Sequence, residues 1–307
     1  MGTLWEMTVH AVDRAQALSS MDRAFEEVAR LERMMSRFLP DSQVSQLTRS
    51  AGHAPLTVEC DLYDVLRLAQ EVAERTGGAF DVTAEPLTRA WAEAAASGTM
   101  PDADRIMSAL VLVGWDAIAL DLHGPTARLG RPGMSLDLGA VGKGYAVDRA
   151  VECLQAEGYE TGWVNAGGNL RMLGAWDQSI PVRDPRAPER MIARVAGFDG
   201  AISTSANYER GWRIGGRWYG HVLDPRTGHP ARACMSATVL APSAALADAL
   251  STACFVLGPE PGQAVCADWS GVDAFWCVES GDSMRIITTL GCRVEGGVIH
   301  VQERVNA

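Results

Sequence analysis

Between residues 18 and 38 apolar side chains return every three or four positions, at Leu18, Met21, Phe25, Val28, Leu31, Met35 and Phe38. That spacing lines one face of an α-helix and predicts an amphipathic helix that stops before Pro40. Over residues 3–12 the period is two instead, with Trp5, Met7 and Val9 on one face of a predicted strand. A second helix is predicted from Leu62 to about Arg75, with Asp61 as N-cap and Gly77-Gly78 as its stop. Another starts at Pro101-Asp102. In residues 134–145 a short strand is predicted to turn through glycines into a helix over 143–157, the shape of a ligand loop. Residues 162–165 and 170–173 read as strands around Gly167-Gly168, which mark a turn or a bulge. Turn-rich strands run on to about Val239, a helix begins near Ser243, and residues 274–278 and 284–288 read as further strands.

Strands and helices intermix without a regular βαβ rhythm, which predicts an α+β fold of mainly antiparallel sheets with packed helices. No repeat, low-complexity tract or flexible linker breaks the chain. It reads as a single domain of residues 1–307, whose only internal division, into two closely packed lobes, falls near residue 130.

At 307 residues, 47% hydrophobic and 21% charged, the chain can bury a large core. Its net charge of −11 argues against nucleic acid as a partner, because phosphate-backbone binding needs clustered Lys and Arg. The same acidity sets a condition on any nucleotide ligand: a metal ion, a helix N-terminus or a few local cations must meet its phosphates. The seven cysteines have no CxxC spacing and most lie in apolar runs, as buried free thiols of a reducing compartment would. No basic stretch followed by an apolar one opens the chain. The most apolar helical stretch, around residues 244–257, is broken by Asp248, Ser251 and Thr252 and is too short to span a bilayer. A soluble, cytoplasmic protein without a transmembrane segment is expected; export or membrane anchoring is the alternative if a leader precedes these residues.

Four segments combine glycine or small residues with polar groups that a packed core would not choose. In Asp137-Leu138-Gly139-Ala140-Val141-Gly142-Lys143-Gly144-Tyr145 the glycines let backbone approach a ligand, carbonyls can turn to a metal, and Lys143 can neutralise a phosphate. The segment fits neither the P-loop nor the GxGxxG spacing, and a structural turn with a surface lysine would also explain it. Asp248 and Thr252 stand four apart on a predicted helix, with Ser251 beside them, and can offer hard oxygens of the kind Mg²⁺ takes. A helix-dipole carboxylate with a back-bonded threonine is the structural alternative. His221 sits at a strand end before the turn Asp224-Pro225-Arg226-Thr227-Gly228, placed for a ligand or a proton transfer, or else as a structural histidine. Asn165-Ala166-Gly167-Gly168-Asn169 and Ser203-Thr204-Ser205-Ala206-Asn207-Tyr208-Glu209-Arg210 carry glycine or small residues with amides and hydroxyls suited to a polar heterocycle or ribose, although turn chemistry alone could account for them.

In order and spacing these segments, with Met1-Gly2-Thr3, Ser36-Arg37-Phe38-Leu39-Pro40-Asp41-Ser42 and Gly78-Ala79-Phe80-Asp81-Val82-Thr83, resemble the ApbE family of FAD:protein FMN transferases. The likeness spans nearly the whole chain. It implies an ApbE-like, T-fold-related architecture and an FAD site formed by Met1, Phe38, Ala79, Phe80, Asp81, Asp137, Lys143 and His221, joined by Asn165, Gly167, Gly168 and Val222. It implies Mg²⁺ held by the Ala140 carbonyl, Asp248 and Thr252, with Ser251 next to them. Three positions depart from the family pattern: Glu85 in place of a frequent glycine, Asn169 of an aspartate and Ala206 of a glycine. The implied reaction is attack by a Thr or Ser hydroxyl of an acceptor flavoprotein on the FMN-side phosphorus of FAD, with AMP leaving. Lys143 would hold phosphate, and His221 or Asp248 would take the proton. Water in place of the protein hydroxyl would make the chain an FAD pyrophosphatase, and failure to bind metal would leave a non-catalytic flavin carrier.

Overall fold

In the computed structural model, residues 2–121, 123–174, 179–196, 198–208, 210–281 and 283–301 are described. The chain forms two compact units, each gathered from separate stretches: residues 29–142 with 209–231, and residues 2–28 with 143–208 and 232–307.

The first unit is mainly helical. It takes in the last two turns of α1 (Arg14–Met35), from Ala29 on, then α2 (Gln43–Arg49), α3 (Cys60–Arg75), α4 (Glu85–Ser97) and α5 (Ala103–Leu110). α1 ends at Met35, so Phe38 lies beyond it in a turn. α3 differs from expectation at its start: Glu59 is the N-cap and makes no side-chain cap bond, while Asp61 lies in the first turn and pairs with Arg30 at 2.5 Å. Asp102 caps α5 through the Arg105 amide, as its position before an apolar run predicts. α2 and α4 were not anticipated. α4 starts with Pro86 in its first turn and buries Leu87, Ala90, Trp91 and Ala94. Trp91 donates its indole N–H to the Gly228 carbonyl at 2.8 Å and stacks on Trp212 at 5.9 Å, fixing the hairpin of Gly211–Ile214 and Arg217–Gly220 against α4. Gly228 has φ +74°, and a Cβ there would lie 2.7 Å from the Ile106 side chain, so this turn accepts glycine alone. Residues 134–138 form no strand: the Asp137 amide bonds the Val82 carbonyl, a loop partner and not a sheet neighbour.

The second unit is built on a seven-stranded sheet in which sequence order is spatial order: Trp5–Val9, Gly162–Ala166, Asn169–Leu173, Ala201–Ala206, Ser236–Ala241, Asp273–Ser280 and Ser283–Thr288. Every neighbouring pair is antiparallel. Gly167 and Gly168 make the two-residue turn of a hairpin, both at positive φ (58° and 96°), which matches the twist of the flanking strands. All six residues of Ser236–Ala241 are buried, so both sheet faces are covered there. On one face Ile202, Leu240 and Phe275 pack against Val182, Val195 and Ile299 of a four-stranded sheet. That sheet has the one parallel pairing among the described residues, Val298–Val301 with Ala187–Ala196. On the other face lies α7 (Ala244–Leu257), in contact with α6 (Gly142–Ala156) and followed by the unanticipated α8 (Pro259–Ala267). Among the described residues no helix is long and apolar enough to cross a membrane. The fold is α+β with mainly antiparallel sheets.

Candidate active site

In the second unit Lys143 and Gly144, at the end of the glycine segment, meet the Asp248 helix. Gly144, in the first turn of α6, lies so close to α7 that a Cβ would stand 2.1 Å from the Ala244 carbonyl oxygen. This contact brings Asp248, only 4% exposed, to the start of α6: its Oδ2 accepts the Gly144 amide at 3.1 Å and the Lys143 ammonium at 3.4 Å. Burial pushes the Asp248 carboxyl above its ordinary value, while Lys143, the Gly144 amide and the Asn169 side chain favour the charged form.

Below Asp248 the α7 hydroxyls face two serines of Ala201–Ala206. Ser205 Oγ is 2.9 Å from Ser251 Oγ and 3.2 Å from Thr252 Oγ1; Ser203 lies 3.3 Å from Ser251 and donates to Asn169 Oδ1. Ser251 and Thr252 also bond back to the Asp248 carbonyl, at 2.9 and 3.4 Å. Ser203 and Ser205, whose segment suits a polar heterocycle or ribose by sequence, bond to α7 here, and their two-residue spacing places them on one strand face. Asn165 spends its Oδ1 on the Gly168 amide at 3.1 Å and its amide on Glu6, so Asn165, Gly167 and Gly168 have turn-forming work of their own.

Two further groups in this unit escaped the sequence. Asp148, on α6, accepts the Ala244 and Ala245 amides at 2.8 and 2.9 Å and pairs with Arg171 at 2.8 Å. Burial raises its carboxyl, opposed by Arg171 and those amides. Each charge-assisted bond of this kind contributes about 1.5–3 kcal/mol, enough to fix where α7 begins. The signal was a lone carboxylate among the apolar positions of α6, where Val147, Ala150 and Val151 are all fully buried.

The first unit holds the other candidates. Phe38 is 77% exposed, and the Arg37 guanidinium lies 4.3 Å from its ring centroid. Arg37 also pairs with Asp137 Oδ2 at 3.0 Å and with Glu85 at 3.3 Å, so one arginine gathers two candidate residues and the departing Glu85. The second Asp137 oxygen takes the Gly139 amide. Ala79 and Phe80 are buried. Asp81 Oδ1 accepts from the Thr83 amide and hydroxyl and Oδ2 from the Trp115 amide; burial raises its carboxyl against those bonds. His221 is exposed, and its Nδ1–H donates to the Arg210 carbonyl, a group that can only accept, at 3.2 Å. Val222 is buried and its carbonyl accepts the Ala231 amide. Ala140 stands in the turn before α6, and Met1 lies outside the described residues.

Whether these groups suit a hard divalent cation rests on donor chemistry. Among the described residues no cluster of three or more His, Cys, Asp or Glu side chains is set to hold a metal. A cation would rest on one carboxylate, with hydroxyl and carbonyl oxygens completing its shell. The oxygens of Asp248, Ser251 and Thr252 are of the type Mg²⁺ takes, and a buried carboxylate with a raised pKa is one whose charge a cation stabilises. The donor set fits.

Comparison with known proteins gives the family. The pattern of the ApbE family matches residues 1–276. The FAD:protein FMN transferase of Treponema pallidum (strain Nichols) is 32% identical over 296 residues, covering 90% of this chain and 82% of that protein. One from Klebsiella pneumoniae (strain 342) is 31% identical over 269 residues, covering 87% and 84%. A crystal structure of an ApbE protein from Thermotoga maritima superposes with a TM-score of 0.83 at 29% identity and 94% coverage of both chains. With that extent of match the chain belongs to the ApbE family.

Proposed function

We propose that this chain transfers the FMN half of FAD to a threonine or serine hydroxyl of an acceptor flavoprotein, releasing AMP, with Mg²⁺ as the required cation. As a member of its family it is an enzyme of the FAD:protein FMN transferase type with FAD as substrate. The observation that carries the finer reading is the Asp248 carboxylate, buried yet held at the start of α6 beside Lys143 and the glycine backbone.

In this reading Asp248 and Thr252, with Ser251 and the Ala140 carbonyl, hold the cation. When bound, Mg²⁺ neutralises charge that builds on the pyrophosphate. Lys143, at the start of α6 beside Asp248, binds phosphate oxygen. The acceptor oxygen bonds to the FMN-side phosphorus, the bond from that phosphorus to the bridging oxygen breaks, and AMP departs with the electron pair. His221, an imidazole able to take and release a proton, is the proposed base, whereas Asp248 Oδ2 already accepts from Gly144 and Lys143. Phe38 offers an exposed ring steadied by Arg37 for stacking on a flavin or adenine, and Ala79, Phe80, Asp81, Asp137, Asn165, Gly167, Gly168 and Val222 complete the proposed FAD contacts.

Calorimetric titration of FAD with and without Mg²⁺, followed by product analysis, tests this. Cation-dependent binding and AMP release only when acceptor is present support transfer. FMN and AMP formed at the same rate without acceptor would indicate a pyrophosphatase, and binding without turnover a carrier.

A further inference from the structure

Helices α6 and α7 exchange carboxylates at their starts. Asp248 of α7 accepts an amide in the first turn of α6, and Asp148 of α6 accepts the two amides that open α7. Ser243 takes the next amide of α7, from Leu246, at 3.3 Å. Side chains thus satisfy the first three amides of α7, and that helix start serves as a fixed anchor. The two carboxylates are not equivalent. Asp248 leans on Lys143 across 3.4 Å, while Asp148 is held at 2.8 Å by Arg171 from the strand Asn169–Leu173.

We propose that Asp148 is a positioning residue for the cation site: by clamping the amides of Ala244 and Ala245, it sets where Asp248, one helical turn further on, presents its carboxylate. Arg171 completes the clamp by ordering Asp148. Loss of either loosens the start of α7, and Asp248 no longer meets the cation in one fixed orientation. The inference rests on the reading of Asp248 as a cation ligand and adds a residue that touches neither cation nor FAD.

The test measures divalent-cation binding by the full chain, using Mg²⁺ calorimetry and Mn²⁺ as a spectroscopic probe. The proteins compared are wild type, Asp148→Asn and Arg171→Gln, with Asp248→Ala as reference. Asp148→Asn is expected to weaken cation affinity by about tenfold, the usual effect of losing a group that orients a ligand. At saturating Mg²⁺ its kcat and its KM for FAD should return to wild type, a rescue that a general loss of folding would not show. Arg171→Gln should lose affinity in the same direction and by less, and it carries the test if the asparagine variant does not fold. Wild-type cation affinity in a folded Asp148→Asn, or in Arg171→Gln if that variant alone folds, would overturn the proposal while leaving Asp248 as a ligand. Absence of cation binding by the wild type itself would overturn both readings.

Discussion

Asp248→Asn preserves the shape of the residue and removes its charge, which separates a cation ligand from a helix cap. Without cation, two effects oppose each other. The buried carboxylate has a raised pKa, so at neutral pH its ionised form costs the folded state stability, and asparagine removes that cost. Asparagine also loses the Lys143 pair, although its side-chain oxygen can still accept the Gly144 amide. The two effects have opposite signs, so the cation-free melting temperature should stay near that of wild type. With cation the two proteins diverge. A ligand that binds only the folded state, present at a hundredfold its Kd, stabilises by about 2.7 kcal/mol, or about 5 °C for a chain of this size. Differential scanning calorimetry at constant ionic strength, with and without MgCl₂, should show that rise for wild type and none for Asp248→Asn. An equal Mg²⁺-induced rise in the variant would refute the cation role. A cation-free melting temperature far below wild type would show that Asp248 is first of all a cap for α6.

Gly144→Ala should destabilise the second unit, because its Cβ would fall 2.1 Å from the Ala244 backbone oxygen; overpacking of about 3 kcal/mol is not offset by the roughly 1 kcal/mol gain in helix propensity, and a melting temperature at or above wild type would contradict the close helix contact. Thiol titration should find all seven cysteines free after unfolding, and Cys60 reacting first in the native protein because it is exposed. Cys234, whose thiol burial pushes up to about 12, should be slow near neutral pH; fast labelling of Cys234, or fewer than seven thiols, would contradict this. Asp148 has a folded-state pKa above its unfolded value, so the stability linked to it is present at low pH and is lost as pH rises through the folded value. Melting temperatures measured across that window should therefore favour wild type over Asp148→Asn increasingly as pH falls, and a constant difference would place Asp148 in a less buried setting.

Local pattern revealed much of this fold because local physics governs those elements. The three-and-four spacing from Leu18 to Met35 became α1, and the paired glycines 167 and 168 became a hairpin turn. The four-residue spacing of Asp248 and Thr252 put both on the side of α7 that meets α6 and the serine strand. α4 escaped because alanines form much of its buried face, and alanine marks a periodic pattern weakly. Residues 134–138 alternate like a strand, but their Asp137 amide is claimed by the distant Val82 carbonyl. Asp61 resembles an N-cap until Arg30, thirty-one residues earlier, draws its carboxylate into an ion pair. The exchange between Asp148 and Asp248 lies across helices about a hundred residues apart in sequence, where no local pattern reaches.

The central claim is covalent transfer, and intact-protein mass spectrometry tests it most directly. The chain, FAD, Mg²⁺ and a candidate flavoprotein acceptor are incubated together, and acceptor mass and released nucleotide are followed over time. The account predicts that the acceptor gains the mass of one FMN on a threonine or serine, matched by an equal amount of AMP and abolished in Asp248→Ala. FAD consumed to free FMN and AMP, with every tested acceptor unmodified, would contradict it.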